Sequence, residues 1–262
     1  VDVPTGFFCE GAIGNYNGIK AHLAICFQRP KINFFFPESV SALADFKVVP
    51  IGLDEDFIES SPSNFKLIAA KDIKNRLKPR QKFTYKGTYG HALLLAGNTN
   101  TMGAALLAAK ACLHAGAGLT TVCLSQSGLT ALNTALPEVM AILRNHELTV
   151  NDFGNFTAFG IGPGLGTQAE NGALIALLID HKKPMVLDAD GLNILSKHKD
   201  LLLKLSPKTI LTPHVKEFDR LFGEHQNWWD RVITAQEQAQ QKGLIIILKN
   251  QYTFICLPTG DV

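Results

Sequence analysis

HALLLAGNTNTMGAALLAAKACLHAGAGLTTVCLS, His91–Ser125, decides the fold. HALLLAG is a short unbroken apolar run, which fits a strand buried on both faces, and NTNTM after it is a loop. GAALLAAKACLHAG is a helix of small and apolar residues, so both of its faces are expected to be covered. GLTTVCLS returns as a second apolar strand. A strand, a helix and a parallel strand form a β-α-β unit, and the unit recurs down the chain. FTAFGIGPG leads into ALIALLIDH, PMVLDADG into LNILSKHKDLLLKL, and KTILTPH into VKEFDRLFG; WWDRVITAQEQAQQKG then precedes the strand LIIILK. The prediction is an α/β fold with a mostly parallel sheet and helices on both faces.

The 262 residues carry a formal net charge of +2, with no basic run and no basic-aromatic interleaving, so neither nucleic acid nor an acidic membrane is an expected partner. No apolar run is long enough to span a bilayer and no signal peptide is visible, which predicts a cytoplasmic protein. The cysteines, Cys9, Cys26, Cys112, Cys123 and Cys256, are scattered and odd in number, which argues against a zinc site or a disulfide framework. Ahead of the first unit, HLAICF (His22–Phe27) and FKVVPIGL (Phe46–Leu53) read as strands. Residues 54–83 are polar, with a short helix over Ala69–Leu77, and a domain boundary is placed near residue 65. Both ends, VDVPTG and the hairpin-like ILKNQYTFICLPTGDV, read as cuts through folded protein.

Ligands of open parallel sheets bind at the carboxyl ends of the strands. Here those ends read AGNTNTMGA, GIGPGLGT, DADGLN, TPHVKEF and LKNQYT. Gly162, Gly164 and Gly166 alternate strictly, which is not a Rossmann fingerprint, and no Walker-type loop occurs. The loop is either a phosphate cradle or a plain turn from strand to helix. Asp188 and Asp190 lie two apart; Asp190 could orient Mg2+ or a ligand hydroxyl, or cap the next helix. His214 sits on the presumed ligand edge beside Lys216 and Glu217, the latter equally a first-turn acid. Lys249 ends an apolar strand, where it could meet a phosphate or simply face water.

From Lys86 onward, KGTYGHALLLAGNTNTMGAALLAAKACLHAGAGLTTV, GIGPGLGT, LDADGLN, LTPHVKEFDRLFG and LKNQYT, in that order, resemble the carbohydrate-kinase-related NAD(P)H-hydrate dehydratases. VDVPTG, IKAHLAICFQRPK and KVVPIGL resemble the tail of the NAD(P)H-hydrate epimerase domain, often fused ahead of the dehydratase in bacteria. The resemblance implies a bifunctional repair family: residues 1–65 the end of a Rossmann-like epimerase domain, and 66–262 a ribokinase-like dehydratase domain truncated at its C-terminus. It implies R/S epimerisation of hydrated NADH or NADPH, then ADP-dependent dehydration of the S form with Mg2+. It places Ala104, Gly164 and His214 on the hydrated dinucleotide, and Lys249, Asn250, Gln251, Tyr252 and Thr253 on the nucleotide, Asn250 replacing the usual glycine. In the epimerase tail it places Asp2 on the hydrate and Thr5 on K+. The family's catalytic aspartate belongs to a GSGD motif that these residues do not contain, and Asp261 in PTGDV matches a hairpin turn instead. Assembly into tetramers or larger is also implied. A small-molecule kinase of the same fold and an inactive nucleotide-binding module are the alternatives.

Overall fold

The computed structural model describes residues 2–144 and 148–262, which build a sheet of two strands and another of eight. In the small sheet β1 (Ala24–Phe27) pairs in parallel with β2 (Phe46–Val49). Strand alternation turns Ala24 and Cys26 inward onto Phe7, Phe34 and Leu43, and leaves Ile25 and Phe27 outward. Two short helices follow, α1 (Glu55–Ser60), capped by the Asp54 carboxylate, and α2 (Ala70–Arg76). Neither buries a residue, so they form a surface connection.

The large sheet begins with β3 (His91–Leu95), α3 (Met102–His114), β4 (Leu119–Leu124), α4 (Leu129–Ala135) and β5 (Met140–Leu143). It continues with β6 (Ala158–Ile161), α5 (Ala169–Asp180), β7 (Met185–Leu187), α6 (Asp190–Lys197), α7 (Lys199–Lys204) and β8 (Ile210–Leu211). It closes with α8 (Val215–Phe222), α9 (Trp228–Lys242), β9 (Ile245–Leu248) and β10 (Phe254–Cys256). The strand order is β10-β9-β8-β7-β6-β3-β4-β5, with every neighbouring pair parallel except the β9–β10 hairpin. The predicted parallel α/β architecture is therefore the observed one.

Alternate residues of β3 show why helices lie on both faces. Leu93 and Leu95 join the larger core with Phe159, Ile161, Ile175, Phe218 and Val232. Leu94 and Ala96 join the smaller one with Ala105, Ala109 and Leu132. A strand buried on both sides needs an apolar residue at every position, which is the pattern ALLLA, Ala92–Ala96, carries.

Several elements differ from expectation. β5 and α4 have too little periodicity to be read from sequence and form through pairing with β4 and packing beneath it. LNILSKHKDLLLKL is not one helix; His198, at φ −120° and ψ 73°, breaks it, so that α6 packs on α8 while α7 turns onto α5. α3 is covered on one face rather than two: Ala105 and Ala109 meet the sheet, but Leu107 is 73% exposed. Beyond α3 the same sheet face leaves Val186 38% exposed.

The N-terminal segment docks on the β10 side of the large sheet through aromatic rings. Phe36 meets Phe254 at 5.4 Å between centroids, Phe35 meets Tyr252 at 4.9 Å, and Phe65 meets Trp229 at 5.8 Å. Glu38 Oε1 accepts the backbone N–H of Trp228 at 2.9 Å, at the start of α9.

One buried ion pair ties α8 to α9. Arg231, 6% exposed, donates two hydrogen bonds of 3.0 Å to the Asp219 carboxylate, which His225 also contacts at 3.0 Å. Removing one partner strands the other charge without water. Asp219→Asn is expected to lower stability by about 3 kcal/mol, a fall in Tm of roughly 6–12 °C. Calorimetry checks it, and an unchanged Tm would show that the pair carries no net stabilisation.

Candidate functional site

Parallel strands place all their carboxyl ends on one edge of the sheet, and the polar loops gather there. After β6, Gly162 adopts φ +124° with no room for a side chain: a Cβ would lie 1.8 Å from the Asp188 carbonyl oxygen. That approach seats the glycine loop against the turn after β7. The turn is itself unusual, since Ala189 is held at φ 47°, ψ −118°, a conformation that L-residues with a Cβ rarely adopt. Such backbone persists only where the surroundings hold it, here by the Gly191 N–H donating to the Asp188 carbonyl at 2.9 Å.

Asp190, the first residue of α6, anchors the loop from that side. Its Oδ2 accepts the Gly166 N–H at 2.8 Å, and its Oδ1 accepts from Asn193 Nδ2 at 3.3 Å. Both oxygens are engaged in structure. Asn171, buried in α5, holds the loop from below, its Nδ2 donating to the carbonyls of Leu165 and Gly166 at 3.1 Å.

Ala104 and Gly164 are brought together. Gly164 sits at φ +61°, and a Cβ there would lie 3.0 Å from that of Ala104 and 2.6 Å from the Thr101 carbonyl. Thr101 Oγ1 donates to the Gly164 carbonyl at 2.7 Å, and the Gly97 N–H donates to that of Pro163 at 2.9 Å. The loop after β3 and the loop after β6 are thus stitched together at the N-terminus of α3.

On the other side of β7, Asp188 Oδ1 accepts from Lys249 Nζ at 2.7 Å and from Thr212 Oγ1 at 2.8 Å. The Lys249 cation is therefore paired, its side chain 40% exposed, instead of standing free in water. Its backbone bridges to His214, with the Lys249 N–H donating to the Pro213 carbonyl at 3.0 Å. His214 caps α8: its Nδ1 accepts the N–H groups of Lys216 and Glu217, and Glu217 Oε2 accepts the His214 N–H at 2.9 Å. A ring nitrogen that accepts two amides carries no proton, so the proton sits on Nε2, 3.3 Å from Glu217 Oε1. With the ring half exposed, His214 can donate to a ligand but has no free nitrogen to act as a base.

Lys249 opens the β9–β10 hairpin, and Asn250, Gln251, Tyr252 and Thr253 form its exposed turn. Asn250 is not among the residues held at positive φ, so the backbone here does not demand glycine. Asp261 is excluded from this edge. β10 runs antiparallel to β9, and Asp261 follows its far end, paired with Lys66 at 3.0 Å. In the N-terminal segment, Asp2 lies beside the end of β1, its Oδ1 accepting the Phe27 N–H at 2.8 Å and its Oδ2 3.4 Å from Lys31. The Phe27 N–H, with Lys31, holds the Asp2 carboxyl below the usual range. Thr5 is exposed, and its carbonyl accepts from Tyr16 Oη at 3.3 Å.

A family model for NAD(P)H-hydrate dehydratase matches residues 92–262. The chain belongs to that family. The bifunctional NAD(P)H-hydrate repair enzyme of Escherichia coli (strain K12) is 29% identical over 263 residues, covering 97% of this chain and 49% of the relative. The chain spans about half the length of the curated relatives it matches. An ADP/ATP-dependent NAD(P)H-hydrate dehydratase from Bacillus subtilis, co-crystallised with ATP and Mg2+, is 30% identical with a TM-score of 0.60, covering 73% of this chain and 69% of that one. A ribokinase-like superfamily protein from Enterococcus faecalis superposes with a TM-score of 0.68 at 24% identity, over 75% of this chain and 70% of that one, and shows the shared fold. The dehydratase family thus spans the whole large sheet and every loop on its carboxyl edge, except the first residue of β3.

Arg144, just after β5, carried no sequence signal and belongs to the same edge, its Nη2 donating to the Gly97 carbonyl at 2.8 Å. Burial pulls its guanidinium below the usual arginine value. Among the described residues no helix is long and apolar enough to cross a membrane, and no three His, Cys, Asp or Glu converge as a metal cage.

The Gly162–Asp188 approach makes a prediction. Gly162→Ala puts a Cβ into backbone that cannot yield, and is expected to cost about 3 kcal/mol through strain. Denaturant unfolding measures this, and a loss under about 1 kcal/mol would mean the turn is more pliant than its contacts imply.

Proposed function

We propose that residues 66–262 act on hydrated NADH or NADPH, the added ring hydroxyl of the S form being phosphorylated from ADP and then eliminated as phosphate. Hydroxide is a poor leaving group and phosphate a good one, so the two steps restore the dihydropyridine. The observation that carries this reading is the stitched edge itself: one continuous set of contacts runs from Ala104 and Gly164, through Asp190 and Asp188, to His214 and Lys249. Ala104 and Gly164 bring only a methyl group and backbone to the middle of the edge, where the flat ring would rest, and His214 offers an Nε2–H donor on the same edge at the end of β8. Lys249 and the turn Asn250–Thr253 stand at the far side, where the diphosphate of the donor meets a cation.

Mg2+ would enter with the donor. Both oxygens of Asp190 and Oδ1 of Asp188 are already engaged, so these residues fit an ion held chiefly by phosphate oxygens. When bound, it would neutralise charge on the transferring phosphoryl group.

Residues 1–65 we assign to the end of an epimerase domain, supported by the parallel β1–β2 pair and by Asp2 at the carboxyl end of β1. Asp2 would meet the hydrate there. One exposed Thr5 hydroxyl is not by itself a K+ site, and no step is drawn through that ion. Assembly into a tetramer or larger belongs to the same proposal, and light scattering reads it.

The test is recovery of reduced-nicotinamide absorbance from hydrated NADH in the presence of ADP and Mg2+. A stable phosphorylated product would favour a small-molecule kinase, and saturable ADP binding without turnover would favour a binding module. His214→Ala is expected to raise the KM for the hydrate about tenfold or more while moving that for ADP far less. Lys249→Ala is expected to weaken ADP by a similar factor. An equal effect of either change on both ligands would remove that residue's assigned role.

A further inference from the structure

A cavity of about 400 Å3 opens on the same edge at the β4–β5 side, away from His214 and Lys249. Thr99, Ser125, Arg144, Glu170 and Asn171 line it. Two of these carry polar atoms that are buried and without a hydrogen-bond partner among the described residues. Arg144 spends Nη2 on the Gly97 carbonyl and leaves Nη1 unpaired; Asn171, 2% exposed, spends Nδ2 on the glycine loop and leaves Oδ1 unpaired. Buried groups of this kind are normally satisfied, and two in one polar cavity mark a place where a ligand completes the set. The chemistry is specific. A guanidinium donor suits a phosphate oxygen, while the Asn171 carbonyl and the exposed Glu170 carboxylate accept from hydroxyls.

We infer that this cavity is a ribose-phosphate subsite, holding the part of the dinucleotide substrate remote from the reacting ring. The inference rests on the dinucleotide reading above. Strand order supports it. The β9–β10 hairpin at one end is given to the phosphoryl donor, and Ala104 and Gly164 stand mid-sheet at β3 and β6. A bound dinucleotide then has the β4–β5 side in which to extend. β5 lies two strand spacings from β3, about 10 Å, within the reach of an extended dinucleotide. The cavity is also mechanically continuous with the ring site, because the Gly97 carbonyl that takes Arg144 belongs to the residue whose N–H holds the glycine loop at Pro163.

The test is calorimetric binding of NADH, NADPH and ribose 5-phosphate to the full chain and two variants. Arg144→Gln removes the cation. Ala173→Glu, at an exposed position on the cavity wall, adds a negative charge without touching Arg144 or its bond to Gly97. Both are expected to weaken NADH and NADPH about 10- to 100-fold. Equal losses would place a ribose with its 5′-pyrophosphate oxygen in the cavity, and a loss confined to NADPH would place the 2′-phosphate of the adenosine ribose there. Dinucleotide affinities unchanged in both variants would overturn the subsite and leave the proposed function standing. Arg144-dependent binding of ribose 5-phosphate by a chain that binds neither dinucleotide would keep the subsite as a ribose-phosphate site and overturn the dinucleotide reading. A wild-type chain that binds none of the three would overturn both.

Discussion

Nothing fits between the α-carbon of Gly162 and the carbonyl of Asp188, and the carboxyl edge of the sheet depends on that contact. It lets the end of β6 lie directly on the turn after β7. The turn then holds Ala189 at positive φ and aims the two aspartates in different directions. Asp190 turns back to the glycine loop, whereas Asp188 turns out to Thr212 and Lys249. Two acids separated by one residue therefore serve opposite sides of the same strand. A larger residue at 162 would part the loop from the turn and separate the two halves of the edge.

The electrostatics of the edge follow from this division. On the β8–β9 side, a partly exposed lysine and carboxylate neutralise one another and hold the His214 turn beside them. An arriving phosphate would compete with Asp188 for Lys249, so the pair keeps the cation placed without burying it. On the β4–β5 side, Arg144 donates to the Gly97 carbonyl and makes no salt bridge among the described residues, with the exposed Glu170 carboxylate acting on it from farther off. Between them lie the glycine loop, Ala104 and an Asp190 whose two oxygens are taken up by the protein. An edge with a cation toward each end suits the proposed substrate, flat in one part and anionic in another.

The N-terminal segment is bound by different forces. Phe35, Phe36 and Phe65 insert among Tyr252, Phe254 and Trp229, and the Glu38 carboxylate takes the first free N–H of α9. Phe35 meets Tyr252 edge-to-face while Phe36 and Phe65 meet Phe254 and Trp229 at tilted angles, so the segment is docked by apolar ring contact more than by charge. The contact falls on Tyr252, in the hairpin turn that the nucleotide is proposed to meet. Packing of the N-terminal segment and the shape of that turn are thereby linked.

Much of this was legible in the chain. ALLLA (Ala92–Ala96), AFGI and IIIL carry no polar side chain because their strands pack on both faces, which points to a parallel sheet between helix layers. The resemblance to the dehydratases, carried by motifs from Lys86 onward, agrees with the family match. Ala104, Gly164, His214 and Lys249 could be placed on the carboxyl edge of the sheet because loops that follow parallel strands share it. Tertiary structure alone decided how they are used. That Lys249 meets Asp188, that His214 spends Nδ1 on its own helix, and that Asp261 falls on the opposite edge depend on strand order and register, which local sequence does not encode. Arg144 had no motif at all, because its distinction is a buried nitrogen with no hydrogen-bond partner among the described residues. That property exists only once Gly97, α5 and β5 have been brought together around it.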